Sequence, residues 1–219
     1  MPPREQMLDR KENALRKHLV EHFDLVDHAL WDALASLKAG DKELARSVMD
    51  KDRFINSKHH QVENECVELI AQRQPVARDL RELLSDMHIS AELERIADYA
   101  AGIAKTVIEM EDKPAEEIRD AVAMMGNHCR DMLTGIREAY ETRDSGRARE
   151  IAQFDDTIDA AERELVNRVF EHQDDNPADY RCSTRLLWIT HTLERIGDRI
   201  TNIAERVVFI ETGARESLN

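Results

Sequence analysis

A chain of 219 residues with 31 basic and 45 acidic side chains carries a net charge of −14. That argues against nucleic-acid binding, which needs a basic face to displace phosphate counterions, and suits a protein that binds cations or docks on basic partners. Seven Gly, five Pro and 5% aromatic residues, beside much Ala, Leu, Glu and Arg, indicate a helical protein with few turns.

Residues 5–39 are predicted to form one long helix. Leu8, Leu15, Leu19, His22, Val26, Ala29, Ala33 and Leu37 keep a 3/4 spacing, and Gly40 is its stop. His18 and His22 stand four apart, as a helical metal pair would, but no acidic motif surrounds them, so they are assigned to surface and core. Asp41 opens a second helix over 41–73, with Val48, Asp52, Ile55, His59, Val62, Cys66 and Leu69 as its seam. Pro75 marks the next boundary, and a third helix spans 76–112. Pro114 punctuates again before a fourth helix over 115–143, with Ile118, Val122, Met125, Cys129, Met132 and Ile136 inward. After the turn Asp144-Ser145-Gly146, a fifth helix over 147–172 turns Ile151, Phe154, Ile158, Ala161, Leu165 and Val169 to the core. The run Gln173-Asp174-Asp175-Asn176-Pro177 breaks it, and a sixth helix covers 178–212.

Cys66, Cys129 and Cys182 are odd in number and never form a CxxC pair, which fits reduced thiols in the cytosol. The N-terminal MPPREQMLDRKENALRKHL has no apolar core of a signal peptide. No apolar run nears the ~18 residues that span a bilayer. A soluble, cytoplasmic protein without membrane insertion is expected.

The chain repeats itself. Leu93-Glu94-Arg95-Ile96-Ala97-Asp98 and Leu193-Glu194-Arg195-Ile196-Gly197-Asp198 differ at one position, and Ile103/Ile203, Ala104/Ala204 and Val107/Val207 continue the match. Asp52-Arg53-Phe54-Ile55-Asn56 resembles Asp155-Asp156-Thr157-Ile158-Asp159. The later Asp follows 46 residues on in the first half and 43 in the second, an indel that connections tolerate. The expected fold is all-α, six helices in two tandem, similar, antiparallel three-helix bundles, residues 1–112 and 113–219.

On a helical wheel the repeated Leu and Ile point to the core, while Glu94 and Asp98, and Glu194, Asp198, Asn202 and Glu205, point away from it. An acidic outer face serves solubility. Yet Glu-x-x-x-Asp-x-x-x-Asn-x-x-Glu stacks acceptor oxygens with no interleaved Lys or Arg, and such like-charge pairs cost a few tenths of a kcal/mol each. A cation would relieve them, so both readings stand. Asp155, Asp159 and Glu162 lie about 85° from their own seam, where they could reach a groove between helices. Their first-half counterparts are Asp52, Asn56 and His59. Oxygen ligands with at most one imidazole favour Mg, Mn or Fe over Zn or Cu. Gly102, Lys105 and Asn56 replace Asn202, Glu205 and Asp159, so the second site is expected to be tighter. No Glu stands three residues before any His, against a ferritin-like di-iron site. A phosphate loop, a nucleophile elbow and a zinc-protease helix are also missing.

Arg73-Gln74-Pro75-Val76-Ala77-Arg78-Asp79-Leu80-Arg81, the two hexapeptides with Arg199-Ile200-Thr201-Asn202-Ile203-Ala204-Glu205, and Phe209-Ile210-Glu211-Thr212-Gly213 together resemble the PhoU family of phosphate-uptake regulators, over essentially the whole chain. The resemblance implies two similar three-helix bundles in a cytoplasmic protein, often a homodimer. It implies a negative regulator of phosphate uptake and phosphate-regulon signalling, acting on the phosphate ABC transporter with its ATPase subunit and on a sensor histidine kinase. It also implies metal ions, Fe, Zn, Mn or Mg, on Glu94, Asp98, Glu194 and Asp198, with Asp155 and Asp159 in support. Asp52, Asn202 and Glu205 complete the candidate ligands. No catalytic role is expected. The alternative is a metal storage or detoxification protein. The Gln74–Arg81 stretch is read as a helix start in which Asp79 pairs with Arg78 or Arg81, rather than as a partner contact.

Overall fold

The computed structural model describes residues 3–111, 114–171 and 177–218. All six expected helices form, the fifth in two pieces: α1 (Pro3–Ala39), α2 (Lys42–Arg73), α3 (Ala77–Glu109), α4 (Glu116–Thr142), α5 (Ser145–Ala152), α6 (Asp155–Glu171) and α7 (Pro177–Thr212). There is no strand among the described residues. The proposed boundary at 112/113 and the polar run Gln173–Asn176 lie outside them. Pro177 opens α7, where its missing N–H costs nothing.

The two halves start with the same joint. Gly40, at φ 67°, lets Asp41 N–H reach back to Ser36 O at 2.9 Å, closing α1. The Asp41 carboxylate then accepts from Glu43 N and Leu44 N at 3.0 Å and caps α2. In the second half Arg143 takes the left-handed position at φ 56°, Asp144 N–H reaches Ala139 O at 2.9 Å, and the Asp144 carboxylate caps α5 through Arg147 N. Pro75 lies before Val76, the residue preceding α3, and so stands outside the helix.

The seams pack as their spacing demands. Leu15, Leu19, Phe23, Val26 and Leu30 of α1, Ile55, Val62 and Cys66 of α2 and Ile89, Leu93 and Ile96 of α3 are buried in one continuous core with Val122, Met125, Cys129 and Ile136 of α4, Ile151, Ile158 and Leu165, and α7's Leu193, Ile196, Ile200 and Ile203. Phe154 is a correction: it is 53% exposed rather than inward. It sits in the break between α5 and α6, where Gln153 and Phe154 make short-range bonds to Arg149 O and Ile151 O. Ile151 and Ile158 are seven residues apart, in phase with or without an interruption, so spacing could not reveal the break.

The bundles join through α3 against α7 and α1 against α4. Going down α3 from Gly102 to Tyr99 to Glu92, the partners climb α7: Trp188, Arg195, Arg199. The two helices therefore run antiparallel, crossing near the two hexapeptides. Arg130 of α4 holds Asp27 of α1 through two 2.8 Å bonds and stacks over Trp31. Glu82 takes both Arg16 and Arg143, beside a polar cavity of about 350 Å³ whose lining includes Arg78, Asp79 and Asp86. At its floor Asp86, 1% exposed, accepts from the Tyr140 hydroxyl at 3.0 Å, and burial pushes its carboxyl up to about 7. Arg78 pairs with Glu211 of α7 at 2.8 Å, not with Asp79.

Candidate metal centre

Two acidic clusters form, one in each half, in the grooves between helices; Asp98 of the first stays exposed, as the wheel expects. In the second half Asp155, Asp159 and Glu162 of α6 meet Glu194 and Asp198 of α7 across the groove between the helices, and all five are half-buried. The wheel measured each carboxylate against its own core but could not show a neighbouring helix standing at the flank. The break before α6 places Asp155 and Asp156 in its first turn, where the helix dipole favours negative charge. Even so, Asp155 is pushed up to about 6, first by burial and then by Asp198, Asp159, Glu194 and Asp156. Glu194 is raised by burial and by Asp198, Glu162 and Asp159.

The single difference between the hexapeptides has a structural reason. A Cβ on Gly197 would stand 2.7 Å from Asp155 Oδ1 and 3.2 Å from Ile158 Cδ1. Gly197 therefore lets the Asp155 carboxylate settle against the α7 backbone. Ala97 fills the same place in the first half.

His191 joins this cluster, and the sequence reading missed it. Its Nδ1 lies 3.3 Å from both Glu162 Oε1 and Glu194 Oε2, while the buried Glu194 Oε2 has no hydrogen bond of its own. Its signal in the sequence is His191-x-x-Glu194 on one helical face, the reverse of the ferritin-like Glu-x-x-His order. One basic group approaches: Arg163 is 4.0 Å from Asp159.

In the first half Asp52 and Asn56 of α2 face Glu94 and Asp98 of α3. Asp52 Oδ2 accepts from Asn56 Nδ2 at 3.2 Å, leaving Asp52 Oδ1 and Asn56 Oδ1 buried without partners. Asp52 is raised by burial and by Asp98, and Glu94 by burial, Asp98 and Asp52.

Glu205 is turned to another partner. At 1.5 Å per residue Glu205 is about 16 Å along α7 from Glu194, and its Oε1 accepts the Leu218 N–H at 3.0 Å, bracing the C-terminal segment. Asn202 lies one turn beyond Asp198, at the edge of the cluster. His18 bonds Glu65 at 2.8 Å and His22 is fully buried; the two do not form a pair.

Each cluster fits a cation on chemical grounds. Buried acceptor oxygens lack donors in both grooves, carboxylates raise one another's pKa, and Gly197 clears space beside Asp155.

The PhoU domain matches residues 5–107 and 122–207. This chain belongs to the PhoU family. A relative from Streptococcus pneumoniae, named phosphate-specific transport system accessory protein PhoU homolog, is 34% identical over 187 residues, 85% of this chain and 87% of that protein. A Zymomonas mobilis protein of the same name is 33% identical over 94% of this chain and 86% of its own length. The crystal structure of the phosphate transport system regulatory protein PhoU from S. pneumoniae superposes with a TM-score of 0.87 at 33% identity, covering 95% of this chain and 99% of that one. PhoU from Pseudomonas aeruginosa gives 0.88 at 29% identity over 94% and 99%. Both PhoU repeats therefore lie in one all-α fold. None of its described helices is long and apolar enough to cross a membrane.

Proposed function

We propose that this protein is an accessory regulator of phosphate-specific transport, cytoplasmic and non-enzymatic, that restrains phosphate uptake and phosphate-regulon signalling. It acts by contact with the ATPase subunit of the phosphate ABC transporter and with a sensor histidine kinase, and it works as a homodimer. The observation that carries the reading is the likeness of the whole two-repeat chain to PhoU proteins whose names place them in that system. The −14 charge supports docking on basic partner elements.

Metal ions on the two acidic clusters belong to the same reading. Asp155, Asp159, Glu162, Glu194 and Asp198 would hold one site, and Asp52, Asn56, Glu94 and Asp98 the other. A bound Mg, Mn or Fe ion would neutralise the clustered carboxylates and tie α6 to α7, or α2 to α3. The protein's own part is to hold two facing rows of oxygens along each groove, half-buried except at the exposed Asp98, so that the grooves are stiffened when charge is balanced and loosened when it is not.

Deletion of the gene tests the regulatory role. Alkaline phosphatase expression should rise in rich phosphate and fall again on complementation. Unchanged phosphatase expression together with altered metal tolerance would instead support storage or detoxification.

A further inference from the structure

Beside the first acidic cluster, α2 carries three donors that the family motif does not include: His59, His60 and Glu63. Glu63 stands one turn along, between the directions of the two histidines on the helix. Its Oε2 lies 3.5 Å from His59 Nε2 and 3.5 Å from His60 Nδ1, and the three residues' donor atoms fall within 4.8 Å of one another. These separations exceed ordinary N–H···O bonds. Two donors on a tetrahedral ion at about 2.0–2.1 Å lie roughly 3.3 Å apart, close to what is seen.

The ring of His59 is held from behind. Its Nδ1 is 3.0 Å from the Ser90 hydroxyl, and Ser90, fully buried on α3, is also 3.1 Å from Nδ1 of the buried His22. One hydroxyl proton serves two imidazoles, so Ser90 donates to one and accepts from the other. When His59 donates its Nδ1–H to Ser90, the Nε2 lone pair is free toward Glu63, the tautomer a metal requires. His60, 71% exposed on its side chain, leaves the site open to solvent and to a fourth ligand.

We propose that His59 Nε2, His60 Nδ1 and Glu63 form a nitrogen-bearing site for a borderline divalent cation of the zinc class, with Ser90 orienting His59. Two imidazoles and a carboxylate with an open position suit Zn²⁺ over Mg²⁺. At the matching positions of α6 stand Glu162, Arg163 and Val166, so no two-imidazole group forms there; the second bundle's own three-donor group, Glu162, His191 and Glu194, brings one imidazole to two carboxylates. The two halves therefore differ in metal class and not only in strength. This site adjoins the first acidic cluster, where His60 acts on Glu94, and it does not depend on the regulatory role.

The test is calorimetric titration of chelator-stripped, untagged full-length protein with Zn²⁺. His60→Ala is the main variant, because that side chain is exposed and its loss leaves the core intact. Glu63→Gln is the second variant, and Asp155→Asn/Asp198→Asn the control for the acidic cluster. We expect one zinc site, about tenfold or more weaker in either α2 variant and unchanged in the control, with nitrogen scattering from two imidazoles in X-ray absorption of the wild type. Equal zinc affinity in wild type and His60→Ala, or an all-oxygen zinc environment, overturns the proposal. Neither result bears on the second acidic cluster, which the control variant reports separately.

Discussion

The ring of Trp188 rests on Gly102, so closely that a Cβ there would stand 2.9 Å from Cη2. Gly102 replaces the Asn202 of the second half because α7 crosses α3 at this point, not because a ligand has been lost. Gly102→Asn, which copies the second-half residue, should displace the half-exposed indole and cost about 1–3 kcal/mol by overpacking the junction. Urea unfolding and a shift in Trp188 emission would show it. A gain in metal affinity from this variant would contradict the assignment.

Gly197→Ala should act on the metal rather than on the fold. Alanine favours a helix by about 1 kcal/mol over glycine, which offsets the crowding, while its methyl pushes the Asp155 carboxylate from its seat. Mn²⁺ binding to the second cluster should weaken about tenfold with a near-unchanged melting temperature. Undiminished Mn²⁺ binding would show that Asp155 is not a ligand.

Metal-free protein titrated with Mn²⁺ should give a tight and a weak class. The second cluster gathers five carboxylates where the first offers three and an amide oxygen. Asp155→Asn/Asp198→Asn should abolish the tight class and leave the weak one. Two equal classes in the wild type would argue that the Asp159/Asn56 difference is silent.

Asp155 and Asp86 should each take stability from the metal-free protein as pH rises from about 4 to about 7, against the opposite contribution of His22, which burial holds neutral down to about 3. A carboxyl raised in the fold keeps its proton while the unfolded chain has lost it, so the folded state binds more protons across that window and stability declines with pH. Asp155, at about 6, accounts for the lower part and Asp86, at about 7, for the upper part. Asp86→Asn, which keeps an acceptor for Tyr140, should flatten the upper part in chemical denaturation across pH. Asp86→Leu should instead cost about 1–3 kcal/mol by stranding the Tyr140 hydroxyl. An unaltered pH profile in Asp86→Asn would show that Asp86 does not titrate in this range.

Added Mn²⁺ should remove the Asp155 part of that decline, because the ion takes the place of the proton. Denaturation at pH 6.5 with and without Mn²⁺ measures this directly, and equal stabilities would count against a cation in the α6–α7 groove.

The sequence alone determined the six helical segments, the duplication and most of the core, but not the break between α5 and α6 that turns Phe154 outward. Apolar spacing at 3.6 residues, Gly40 in a left-handed turn and Asp41 and Asp144 at helix starts need only near neighbours to act, so they are written locally. The tertiary structure alone decided what the flanks of the helices meet. A wheel gives the angle of Glu194 from its own core, but not that α6 stands beside it, that His191 and Glu162 meet across the groove, or that burial lifts Asp155. Nor could it show that Trp188 occupies the space above Gly102 or that Leu218 claims Glu205. Groove geometry, burial and charge coupling sum over residues far apart in the chain, and only packing brings them together.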